Sequence, residues 1–442
     1  MSNVELGLWS FPVLLLLIFF RMPIGLAMLI VGVVGNFLIT KSWNPSLALF
    51  KSLTYTSFAN HSLSVVPLFL LMGQFAALGG MNRQLFDAAA SWLGHRRGGI
   101  AMAAIGACAG FGAICGSSLA TAATMGQIAL PELKKHGYSG SLATGTLAAG
   151  GTLGILIPPS VILVIFAILT EQNIAKLFVA AVIPGILAAV GYIVTIAVVA
   201  RFWPKLAGEP YPRVPYGERF RLLLRIWPVL LIFVLVMGGI YSGVFTPTEA
   251  AAVGAFGTGI IAFVNGGLRR KGAFTHAIMN VASATAMIFI ILLGAAAFNN
   301  FLALSQLPQI AASFVTEQGY NPWLILSLII VLYFLLGGPM DSFSMILLTI
   351  PILYPIVTSL DFGLSREEFG LWFAILTLIV VEVGLISPPV GMNLFVINSM
   401  SKGTSMGQTY LGVTPFLVSD AIRITLLVLF PPITLILVRF MF

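Results

Sequence analysis

Charge is what this chain has least of. Of its 442 residues only 8% are Asp, Glu, Lys or Arg, against about 25% in a soluble globular domain. No hydrophilic block is long enough to fold as a soluble domain. Cysteine is nearly missing: Cys108 and Cys115 share one apolar segment and read as packing residues, not as a disulfide or a metal site. Histidine is sparse, with His61, His95, His136 and His276 dispersed and no HExxH pair, and the chain has no P-loop and no GxSxG elbow. These absences exclude ATP hydrolysis by this chain and the common hydrolase plans. The net charge of +8 is spread over short loops without a basic, aromatic-laced patch, which excludes nucleic acid as a partner.

What is present is apolar. Hydrophobic residues make up 59% of the chain, and stretches near the roughly 20 residues that span a bilayer recur from end to end. The chain therefore reads as an all-α polytopic membrane protein surrounded by lipid. Its start, "MSNVELGLWSFPVLLLLIFF", has no basic leader or small-residue cleavage site and reads as a retained helix. Ten crossings are predicted, at about 6–20, 22–39, 61–80, 141–169, 177–200, 227–245, 249–266, 277–300, 371–400 and 413–440. Two further apolar segments, 98–132 and 322–356, carry same-sign flanks and read as re-entrant hairpins. With the N-terminus outside, all Lys and Arg except Lys41, Lys51, Lys176, Arg366, Arg439 and the intramembrane Arg423 fall inside, as the positive-inside rule requires.

The two halves echo each other. "GILIPPSVILVIF" at 154–166 matches "GLISPPVGMNLFV" at 384–396, each with a glycine four residues before a Pro-Pro pair and each following a hairpin candidate. Five crossings separate equivalent elements, so the second copy is inverted, with one hairpin opening inward and the other outward. Inverted repeats with two hairpins and two interrupted helices are a plan of secondary transporters, whose sites lie near the midplane. Each interruption frees N–H groups with a positive dipole end and carbonyls with a negative one, suited to an anion and a cation side by side. Ser117, Ser118, Thr121 and Thr124 add hydroxyls beside Gly116, and such oxygens suit a small hard cation.

Three acids fall inside spans, where ionisable groups are expensive. Asp341 reads as a cation ligand or a tip-holding residue, and Glu382 as an ion or proton group or one half of a pair with a base. Asp420 and Arg423, three apart on one helix, read as a structural ion pair. Asn393 has an amide able to donate to a carboxylate, or to a neighbouring helix. "GGPMDSFSM" resembles the motif of intramembrane aspartyl proteases. Those need a second catalytic aspartate, however, and no such motif surrounds Asp420.

"GFGAICGSSLATAATMGQIALPEL", "GGTLGILIPPSVILVIF", "GVFTPTEAAAVGA", "GPMDSFSMILLTIPILYPI" and "VGLISPPVGMNLFVI" occur in order. Together they resemble the large membrane (permease) subunit of tripartite ATP-independent periplasmic (TRAP) transporters over about residues 5–435. The resemblance implies a bacterial inner-membrane importer of an organic acid (a dicarboxylate, sialic acid, keto acid or sulfonate), driven by Na+ and working as an elevator. It implies two partners, a small four-helix membrane subunit and a periplasmic substrate-binding protein. It also implies scaffold helices at 1–60 and 201–275, the latter with a cytoplasmic loop, and a transport domain in two halves. These are 61–200, with hairpin 98–132 and interrupted helix 141–169, and 276–442, with hairpin 322–356, interrupted helix 371–400 and a last helix. Sodium site 1 would draw on Ser117, Ser118, Ile157 and Pro158, and site 2 on Gly338, Gly384 and Ser387, where the family often has threonine. Thr152 and Asn393 are the substrate candidates. The rival readings are a stand-alone sodium- or proton-coupled carboxylate symporter and an intramembrane hydrolase using Asp341.

Overall fold

Proline, glycine and short capping side chains punctuate an otherwise continuous apolar chain, and they decide where each helix stops. The computed structural model describes residues 1–442 apart from Pro339, which falls inside the second hairpin, and the side chains of Leu49 and Ser57. Among the described residues there is no strand, only an isolated bridge between Tyr138 and Ala207.

The same order of elements occurs twice. In the first half, Val65–Leu78 and the amphipathic Met81–Leu93 lead to a hairpin, Gly99–Cys115 and Ser118–Lys135. An interrupted helix, Gly140–Leu156 and Val161–Thr170, and the long Ile174–Phe202 follow. In the second half, Ala273–Ser305 and the amphipathic Leu307–Glu317 lead to the hairpin Pro322–Leu336 and Ser342–Thr358. The interrupted pair Arg366–Gly384 and Met392–Met400 and the helix Met406–Leu429 complete it. Both hairpins and both interruptions stand within a few residues of the expected bounds. The flanking helices obey the same relation: Ile24–Thr40 packs along Ala273–Ser305, and Pro247–Val264 packs along Val65–Leu78. The first of these contacts needs glycine, because a Cβ on Gly32 would lie 2.6 Å from the backbone of Ala297.

Among the described residues five helices are individually long and apolar enough to cross a membrane, and up to seven spans result if each of two bent pairs counts as one. The expected ten exceed this for physical reasons. Asn3–Phe19 and Ile24–Thr40 have 17 residues each, about 26 Å at 1.5 Å per residue, and residues 385–391 are non-helical. The last expected span, 413–440, is corrected. Met406–Leu429 ends ahead of Pro431 and Pro432, and Pro432–Met441 is a separate short helix, since the tandem prolines cannot continue the hydrogen-bond ladder.

A strap formed by residues 203–212 crosses the base of the first hairpin. Glu209 N–H donates to the His136 carbonyl (2.8 Å), and Tyr211 N–H donates to that of Gly94 (2.8 Å). The Tyr211 ring lies 4.3 Å from that of His136, and its hydroxyl donates to Glu132 (3.0 Å). Burial, reinforced by the Glu132 carboxylate, pushes the Tyr211 phenol up to about 12, so it stays a donor across the physiological range.

Candidate ion and substrate site

The first hairpin turns at Gly116, whose φ of +63° favours glycine, and at Ser117, which N-caps the returning arm by accepting from Ala120 N–H (3.4 Å). This tip packs on the first interruption. A Cβ on Gly154 would meet the Ser117 carbonyl at 2.7 Å, and one on Gly116 would meet that of Pro159 at 3.1 Å. Pro158 and Pro159 are joined by a cis peptide bond, and the helix bends by 45° there. Having no N–H, the two prolines withdraw the helical donors of the Gly154 and Ile155 carbonyls. Ile157 N–H still reaches the Leu153 carbonyl (3.1 Å), and Ser160 caps the second half-helix at Leu163 N–H (3.4 Å). Ser117 and Ser118 thus pack through their carbonyls on Gly154 and Gly151, and Gly116 packs on Pro159, next in the chain to Ile157 and Pro158.

The second tip repeats the arrangement with different detail. Gly337 and Gly384 are in backbone contact, since a Cβ on Gly384 would lie 2.5 Å from the Gly337 Cα. Gly338 and Ser387 are buried beside them. The Ser387 hydroxyl donates to the Val383 carbonyl (2.6 Å), and its N–H donates to that of Gly384 (3.2 Å). The Pro388–Pro389 peptide is also cis, and Asn393 N–H returns to the Leu385 carbonyl (3.1 Å). Asp341 N-caps the returning arm, with its carboxylate taken up by the N–H (3.1 Å) and the hydroxyl of Ser344. In this geometry Asp341 holds the tip.

A buried polar cluster lies against the first interrupted helix. Asn393 is fully buried; its amide donates to the Ala148 carbonyl (3.4 Å), and its Oδ1 has no partner among the described residues. The Thr152 hydroxyl donates to the Ala149 carbonyl (2.7 Å) and lies 3.2 Å from the Tyr192 hydroxyl, which donates to Asp420 (2.9 Å). Asp420 pairs with Arg423 at 2.8 Å, both buried, as the i, i+3 spacing predicts. Among the described residues Glu382 has no ion pair with a base; it accepts from the Ser342 hydroxyl (2.8 Å). Sequence reasoning missed Tyr192 and Ser342. Tyr192 sits in an unbroken apolar helix that offers no signal, whereas Ser342 follows Asp341 directly at a turn and was open to notice. A cavity of about 560 Å³ lined by Gln127, Lys134, Tyr138 and Lys402 opens at the end of the molecule that carries the hairpin base.

The arrangement offers paired helix ends, freed carbonyls and hydroxyls in an enclosed centre, and among the described residues no group of three or more His, Cys, Asp and Glu side chains. Helix N-termini attract anions, and carbonyl and hydroxyl oxygens suit small hard cations. The family model of the tripartite ATP-independent periplasmic transporter, DctM component, matches residues 11–433. The chain belongs to this family. It is a TRAP large permease subunit, a multi-pass protein of the bacterial inner membrane and not an enzyme. The C4-dicarboxylate TRAP transporter large permease protein DctM of Pseudomonas aeruginosa is 37% identical over 376 residues, 85% of this chain and 86% of that protein. The sialic acid TRAP transporter large permease protein SiaM of Vibrio cholerae is 32% identical over 421 residues, 95% and 96% of the two chains. The isethionate TRAP transporter permease protein DctMQ of Oleidesulfovibrio alaskensis is 31% identical over 354 residues, 79% of this chain and 54% of that one. The crystal structure of the Alcanivorax borkumensis YdaH transporter shares the fold, with a TM-score of 0.64, 15% identity and coverage of 97% and 98%.

Proposed function

We propose that this TRAP permease imports a small organic acid, drawing energy from a sodium gradient. The observation that carries the reading is the meeting of each hairpin tip with an interrupted helix, Gly116 on Pro159 and Gly337 on Gly384. At the first of these places the Gly154 and Ile155 carbonyls lose their helical donors to Pro158 and Pro159, and at both a helix begins close to the contact, at Ser118 and at Ser342. Carbonyls and hydroxyls replace the hydration of a small hard cation, and helix N-termini attract a carboxylate. In this reading Ser117, Ser118, Ile157 and Pro158 hold one sodium ion, and Gly338, Gly384 and Ser387 hold another. The Asn393 amide, still with a free oxygen, faces the solute. Thr152 acts through Tyr192, since its hydroxyl is already engaged with that residue.

The substrates named for the relatives, a C4-dicarboxylate, sialic acid and isethionate, are all small organic anions, which supports the class of solute. The two hairpins, the interrupted helices and the helices that follow form the mobile unit of an elevator. Residues 1–60 and 201–275 supply its scaffold, against which the small membrane subunit sits. A periplasmic binding protein delivers the solute. The face bearing Lys134, Lys135 and Lys402 is cytoplasmic.

Reconstitution in liposomes with an imposed sodium gradient tests this. Uptake of a radiolabelled organic acid is expected only when the small subunit and the binding protein are present and sodium is outside. Equal uptake by this chain alone would replace the reading with a stand-alone symporter, and uptake indifferent to sodium would remove the coupling ion.

A further inference from the structure

Both hairpin tips converge on one side chain. Glu382, in the last turn of Arg366–Gly384, is 0% exposed. Its Oε1 accepts from the hydroxyl of Ser342, the first residue of the second hairpin's returning arm, at 2.8 Å. Ser118, the first residue of the returning arm of the other hairpin, lies near the same carboxyl group, without a hydrogen bond to it. Oε2 has no hydrogen-bond partner among the described residues.

A carboxylate oxygen left bare in a protein interior is strongly unfavourable, and either a proton or a paired cation relieves it. The cationic side chain that acts on Glu382 across the core is Arg423, and it is already held by Asp420 at 2.8 Å. We infer that the Glu382 carboxylate, with the hydroxyls of Ser342 and Ser118, forms a monovalent-cation site between the two hairpin tips, additional to the two backbone-rich sites of the proposed function, the first of which shares Ser118 with it. The donors are all hard oxygens, which suit an alkali cation. One formal negative charge balances one positive charge, and the neighbouring Asp341 is taken up by Ser344, so a divalent ion is not favoured. Because Ser118 and Ser342 belong to different hairpins, an ion here fastens the two tips to the same helix, so that neither half closes without the other.

The inference rests on the ion-coupled reading, and the test separates the two. The protein is purified from its own membranes with any membrane subunit that accompanies it, and its melting temperature is followed at pH 8 as NaCl replaces choline chloride at constant ionic strength. Wild type is expected to be stabilised by sodium with a saturable midpoint. Glu382→Gln keeps an acceptor for Ser342 but removes the charge, and is expected to raise that midpoint at least tenfold while leaving the melting temperature in choline within a few degrees. Ser342→Ala is expected to raise it several-fold. A monodisperse Glu382→Gln protein with an unchanged sodium midpoint overturns the site and leaves the ion-coupled reading standing. If that variant does not fold, an unchanged midpoint in Ser342→Ala overturns it instead. A wild-type protein with no sodium response overturns both.

Discussion

At the scale of single residues, the buried pair Asp420 and Arg423 shows what one charge means in this interior. Their side chains are 1% and 4% exposed and 2.8 Å apart, and the Tyr192 hydroxyl completes Asp420 at 2.9 Å. Removing one partner strands the other charge, which costs about 3–5 kcal/mol, whereas replacing both by apolar groups of similar volume is often neutral. Arg423→Met is therefore expected to lower the melting temperature sharply and to deplete the folded protein in the membrane. Asp420→Leu with Arg423→Met is expected to recover most of the loss, and thermal melts of the three proteins check it. This pair was legible in the sequence because an i, i+3 spacing fixes neighbours whatever surrounds them. Glu382 was legible as an oddity but not as a junction. Its neighbours, Ser342 and Ser118, are 40 and 264 positions away in a chain whose local pattern carries no record of that distance.

Elements follow the same division between local and distant causes. The Pro-Pro pairs were readable at once, because a missing N–H disables a helix in any context. The amphipathic helices Met81–Leu93 and Leu307–Glu317 were not, because short segments between long apolar runs read as connections. Pro431 and Pro432 carried the same signal as the other two pairs but stood within an expected span, and the final helix was drawn too long. The interruption at Pro158 and Pro159 yields a test at this scale. With alanine at both positions, residues 158 and 159 regain the N–H groups that the Gly154 and Ile155 carbonyls lack, and the helix can run on. Pro158→Ala with Pro159→Ala is expected to weaken the sodium dependence of uptake by at least tenfold. The helical content, read by circular dichroism, should stay unchanged or rise slightly. Uptake with the wild-type sodium midpoint would show that the free carbonyls are not used.

At the scale of the molecule, the distribution of charge and the recurrence of elements carried the topology. Sodium coupling and motion leave no such mark. The same order of elements occurs in both halves, and Lys134 and Lys402 line one cavity of about 560 Å³. If that cavity opens to the cytoplasm, a reagent confined to one side of the membrane can reach it from that side alone. The near absence of cysteine makes the experiment clean, for Cys108 and Cys115 are 0% and 5% exposed and present little to label. Gln127 is exposed in the cavity wall. Gln127→Cys is expected to react with a membrane-impermeant maleimide in inverted vesicles and to stay unmodified in right-side-out cells. Labelling from the periplasmic side in resting cells would reverse the orientation. If the hairpin unit also travels across the membrane, sodium together with substrate should change the labelling rate of Gln127→Cys several-fold while leaving that of a cysteine at Arg269, on the connection between Pro247–Val264 and Ala273–Ser305, unaltered. Equal rates at both positions in every condition would mean that the two regions do not move against each other, and the elevator would have to be abandoned for a mechanism with a fixed core.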